Sequence, residues 1–164
     1  MDLNALLVTE WDKEVKNTRR MLERVPADKF DWKPHEKSMK LKSLAVHLAE
    51  ITGWPDTIIK TDGLDFATMD YKPAEVADAS ELVALMDKLS AQGREAIAKA
   101  TESQFKDPWV MRMGDKIFSS DNKYENIRHA FGQMIHHRAQ LGVYLRLLNI
   151  PIPGMYGPSA DEPF

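Results

Sequence analysis

Residues 122–148 read NKYENIRHAFGQMIHHRAQLGVYLRLL, and their spacing decides the fold. Ile127, Phe131, Met134, Arg138, Leu141, Leu145 and Leu148 recur three and four residues apart, which draws one stripe down a long helix. Only Arg138 interrupts the apolar character of that stripe. A helix with one apolar face cannot bury it alone, so other helices must pack against it.

Three further segments have the same periodicity. In residues 2–25, Leu7, Trp11, Val15, Thr18, Leu22 and Val25 share a face, and Pro26 stops the helix. A second helix is expected over 40–60, with Leu41, Leu44, Ala45, Leu48, Ile51, Pro55, Ile58 and Ile59 inward. Gly53 and Pro55 should kink it, because proline removes a backbone donor and crowds the preceding turn. A third covers 79–101, with Leu82, Leu85, Met86, Leu89, Ala96 and Ile97 inward.

The connections are long. Residues 27–40 form a loop with Phe30 and Trp32 folded onto the core, and 61–78 a polar crossover punctuated by glycine and proline. Residues 102–121 hold either a short β-hairpin around Met113–Gly114–Asp115 or an irregular loop. The tail NIPIPGMYGPSADEPF is too rich in proline and glycine to remain helical. The expectation is an all-α, single-domain chain over 1–164: a four-helix bundle with long crossover connections.

Composition narrows the function classes. The 164 residues carry a net charge of −3, so no basic excess draws the chain to nucleic acid or anionic membranes. No apolar run approaches the roughly 20 residues of a membrane span. The first residues, MDLNALLVTEWDKEV, lack the basic start of a signal peptide. Cysteine is absent, which fits a cytoplasmic protein and leaves histidine, carboxylate, amide or water to hold any metal.

Several polar residues fall beside the apolar stripes. His47 borders the stripe of the second helix. On the last helix, Gln133 and His137 are one turn apart and lie about 40° from each other around the axis. His136 points about 100° away from His137, and His129 extends the row toward the start of the helix. Two donors at i and i+4, with a third from a facing helix, can close one face of a divalent metal ion. Neutral imidazoles suit zinc, nickel, iron or copper. The competing reading is packed histidines, each with one hydrogen bond. Arg138, in the core seam, needs a carboxylate partner, and Glu10, Asp12 and Glu50 are candidates.

The phrase HHRAQLGVYLRLLNIPIP resembles the end of DinB/YfiT-like four-helix-bundle proteins, which typically carry HHRGQ on the last helix; here Ala139 replaces the glycine. FDWKPHEKSMKLKSLAVHLAE resembles the loop and second helix of the same family. The likeness runs in order along nearly the whole chain. It implies a divalent metal held by three histidines, one from the second helix and two from the last. Carried over residue by residue, those positions are His47, Gln133 and His137, so a glutamine stands where the pattern has a histidine. Three arrangements then compete. Gln133 binds through its oxygen or a bridging water, His129 or His136 reaches in, or the three residues simply hydrogen-bond without metal.

The resemblance implies a metal-dependent enzyme, a thiol-dependent transferase or hydrolase acting on a small molecule, with a low-molecular-weight thiol as a candidate partner. His129 and Glu50 are the candidates for a general base. The alternative is a non-catalytic member that lacks the metal and binds a small molecule under stress. A homodimer is compatible with either, with Met155 and Tyr156 in the tail as contact residues.

Overall fold

A computed structural model describes residues 2–163. Helix α1 spans Leu3–Leu22 and starts at Asp2, whose carboxylate accepts from the Asn4 amide at 3.0 Å. The segment expected as one kinked helix is two helices, α2 (Leu41–Ile51) and α3 (Trp54–Lys60). Pro55 is the reason. In the first turn of α3 its missing N–H costs nothing, whereas within a continuous helix it would leave a carbonyl unpaired.

The crossover then contributes a short strand, β1 (Gly63–Asp65). Helix α4 (Ala79–Lys99) starts on the Asp78 carboxylate, and the short α5 (Glu102–Lys106) follows. Strands β2 (Pro108–Met113) and β3 (Lys116–Asn122) form the hairpin, and α6 runs Lys123–Leu147. A reciprocal cap between Asn122 and Glu125 opens α6. Asn149, at φ +59°, ends the chain's last helix in the left-handed conformation that asparagine tolerates.

The all-α expectation is therefore corrected: the fold is mostly helical with a small three-stranded sheet, ordered β1-β2-β3. β2 and β3 are antiparallel, with Met113 opposite Lys116 across a two-residue turn. Gly114 takes φ +57° there, which glycine adopts without strain. β1 pairs with β2 in parallel, Leu64 opposite Met111. This pairing joins segments far apart in sequence, and a strand of three residues is too short to show alternation.

The long helices form a bundle in which α1 and α2 each pack against both α4 and α6. Trp11 on α1 meets Phe131 on α6 edge to face, with ring centroids 5.1 Å apart, and donates its indole N–H to the Ser90 carbonyl on α4. Helix α4 comes close at Gly93: a Cβ built there would lie 2.5 Å from the Thr52 carbonyl oxygen and 3.1 Å from the Trp11 ring. The C-terminal tail folds back on α1 and α6. Arg20 donates to the Gly154 carbonyl at 2.8 Å, and Arg146 pairs with Asp161. Met155 is half-buried against the core in this tail.

Arg138 is buried as expected, but its partner is none of the three candidates. Its Nη2 donates to Glu14 Oε2 at 2.6 Å, and its Nη1 donates to the Glu14 carbonyl and the Thr18 hydroxyl. The Tyr156 hydroxyl closes the group by donating to Glu14 at 2.7 Å. Glu10 and Asp12 lie on other faces of α1 and pair with Arg128 and Arg94. Glu14 shares the inward face with Trp11 and Thr18, being three residues after one and four before the other.

Candidate functional site

Helices α2 and α6 are neighbours in the bundle, and this adjacency brings His47 opposite His137. The two imidazole rings meet edge to face, 4.7 Å between centroids and 79° between planes. Both side chains are half-buried. Neither nitrogen of His47 has a hydrogen-bond partner among the described residues, and neither is sealed from solvent. His137 is the opposite case. Its Nε2 lies 3.0 Å from Gln133 Oε1 and its Nδ1 2.9 Å from Gln140 Oε1.

Burial disfavours the charged imidazolium and is the main reason that His47 titrates below its ordinary value; the neighbouring His137 adds to the effect and Glu50 opposes it. Burial likewise lowers His137, against the hydrogen bond that its Nδ1, when protonated, donates to Gln140 Oε1. Both rings are therefore held in the neutral form, the form that donates a lone pair to a metal.

His47, Gln133 and His137 thus stand together. His136 does not join them: it is exposed, with its ring edge-on to His137 at 5.0 Å. His129 lies exposed on the flank, stacked on Trp54 with centroids 6.5 Å apart and planes at 12°. Trp54 in turn sits edge-on to His47 at 5.8 Å and forms a wall of the site. Glu50, one turn beyond His47, faces the crossover: it accepts from the Tyr71 hydroxyl at 2.5 Å and from the Ala74 amide at 3.0 Å.

Three of these neighbours are absent from the sequence reading. Gln140 is three residues after His137 on the same helix, so helical spacing alone could have flagged it, whereas Trp54 opens α3, a separate helix from the one that carries His47, and no spacing within one helix relates the two. Tyr71 comes from an irregular crossover, where no periodicity points anywhere.

Among the described residues, no three His, Cys, Asp or Glu side chains converge as a metal site. Any third protein donor here is the Gln133 amide. Two neutral imidazoles and one carboxamide oxygen, from facing helices, fit a borderline divalent ion such as zinc or nickel, with lower affinity than three imidazoles would give.

Comparison with known proteins agrees with this architecture. The family model described as DinB family matches residues 1–163. A DinB-like protein from Bacillus subtilis superimposes with a TM-score of 0.70 at 17% identity, covering 97% of this chain and 99% of that one. A DinB-like protein from Bacillus cereus gives 0.68 at 18% identity, covering 92% and 95%. A member of the family from Exiguobacterium sibiricum gives 0.68 at 20% identity, covering 91% and 93%. At these identities the likeness shows the fold. No curated protein matches the chain.

Proposed function

The chain belongs to the DinB family, and from that premise we propose that it is a metal-dependent enzyme acting on a small molecule between α2 and α6. His47 and His137 are the imidazole ligands, and Gln133 supplies a weak third donor or holds a water. The observation that carries this reading is the pair itself: His47, half-buried and with no hydrogen-bond partner at either nitrogen among the described residues, faces the His137 ring with 4.7 Å between centroids. The His47 nitrogens are open to solvent and so accessible to an ion.

A divalent ion at this place would turn a bound water or a low-molecular-weight thiol into a nucleophile near neutral pH. The chain's own residues do the rest. His47 and His137 present their lone pairs from two rigid helices, which fixes their separation. Trp54 walls one side against solvent. Gln133, neutral, leaves the charge of the site to the ion and its substrate.

A second reading rests on a specific contact. Gln133 Oε1 is within hydrogen-bond distance of His137 Nε2, so the two can satisfy each other without metal. The chain would then be a family member that binds a small molecule without catalysis. A zinc titration against a chromophoric chelator separates the readings. The enzyme reading expects the parent to compete for zinc and His47→Ala to fail. If only Gln133→His competes, the metal-free reading holds.

A further inference from the structure

His137 has one proton when neutral and two amide oxygens facing it, Gln133 Oε1 at Nε2 and Gln140 Oε1 at Nδ1. It can donate to only one of them. If Nε2 carries the proton, the ring bonds to Gln133 and the lone pair on that nitrogen is gone. If Nδ1 carries it, the ring bonds to Gln140 and the Nε2 lone pair faces the Gln133 amide, which either turns its NH2 toward that lone pair or leaves it to a metal. The tautomer is therefore set by a competition between two glutamines on the same helix, one turn before and one turn after the histidine.

We propose that Gln140 is a positioning residue: by accepting the Nδ1 proton of His137 it holds the ring with the Nε2 lone pair turned into the site. The geometry favours this division of labour. Gln140 Oε1 makes the slightly shorter contact, 2.9 Å at Nδ1 against 3.0 Å for Gln133 at Nε2, and it lies on the exposed side of the ring while Gln133 is half-buried beside Nε2. A metal-ligating histidine is commonly fixed by an acceptor at its other ring nitrogen, and Gln140 is the only acceptor at Nδ1 among the described residues. The tautomer competition stands whether or not a metal binds; the role in metal binding rests on the function proposed above.

The test uses the full chain, metal-free, at pH 8, where His137 is neutral. Nitrogen-15 NMR of the imidazoles reports which nitrogen carries the proton. Gln140→Leu is expected to shift the His137 tautomer toward Nε2–H by roughly fivefold, the worth of about one hydrogen bond. Gln133→Leu should shift it toward Nδ1–H, and Gln140→Glu, which keeps an acceptor at Nδ1, should not lose Nδ1–H. Zinc competition on the same proteins should show Gln140→Leu at least about tenfold weaker than the parent. An unchanged tautomer in Gln140→Leu overturns the inference. A parent that shows the tautomer shifts yet takes no zinc overturns the metal reading and leaves the positioning role of Gln140 standing.

Discussion

The Arg138 guanidinium and the Glu14 carboxylate are 2.6 Å apart in the middle of the bundle, 2% and 8% exposed at their side chains. They join α6 to α1 where both stripes are mostly apolar. Removing one partner leaves a buried charge without compensation. Glu14→Ala is therefore expected to lower stability by roughly 3–5 kcal/mol, whereas Glu14→Leu with Arg138→Met together should recover most of that loss. Urea unfolding of the single and double variants measures both. Tyr156→Phe, which removes one hydroxyl from the group, should cost only about 1 kcal/mol.

The sequence made the presence of this pair legible but not its partner. Arg138 stands in an apolar stripe, so burial and a counter-charge follow. Choosing among the acids of α1 needs the rotation of that helix against α6. The stripe through Leu7, Trp11 and Thr18 passes over Glu14, yet a carboxylate there reads as a break in the stripe until the arginine is placed opposite. The bundle itself was legible for a simpler reason: four segments carry the apolar helical period, and at Pro26 the period and a helix stop coincide. The hairpin was one of the two readings of residues 102–121, but the third strand was not legible, because β1 is three residues long and its partner lies beyond α4 and α5.

Gly93 sits in the middle of α4, where helix propensity alone favours alanine by about 1 kcal/mol. The close approach of the Thr52 carbonyl and the Trp11 ring reverses the sign. Gly93→Ala is expected to destabilise the protein, by roughly 1–3 kcal/mol before propensity is subtracted. A thermal melt that rises on this substitution would contradict the packing described here.

Burial lowers both His47 and His137 in the folded chain from the ordinary 6.5. In the window below pH 6.5 the unfolded chain then binds more protons than the folded one. Stability from this source is complete above 6.5 and is lost as pH falls through the lowered folded values. Replacing both histidines with glutamine should flatten the dependence of urea midpoint on pH in that window. An unchanged slope would mean that the rings are not held neutral by the fold.

The crossover is fixed to the flank of the site by Glu50. Burial, and then the Glu50 carboxylate, push the Tyr71 hydroxyl from 10.0 up to about 12. A spectrophotometric titration should show one tyrosine ionising in that range, and Glu50→Gln should bring it part of the way back. The same variant should speed hydrogen exchange at the Ala74 amide, which donates to the other carboxylate oxygen.

The three residues proposed as donors were all visible in the sequence, since His47, Gln133 and His137 border apolar stripes at helical spacing. Their mutual approach followed from the family resemblance and not from spacing, because two helices with long connections can pair in several ways. Nor could spacing show that both nitrogens of His137 face glutamine amides while neither nitrogen of His47 has a hydrogen-bond partner among the described residues.

The central claim is tested most directly by metal content. The protein, produced without a polyhistidine tag and purified without chelator, is analysed by elemental mass spectrometry beside His137→Ala. The account predicts a divalent metal in the parent, approaching one equivalent when zinc or nickel is supplied during purification, and its loss in the variant. A parent that stays metal-free after exposure to zinc and nickel, or a variant that keeps its metal, would contradict it.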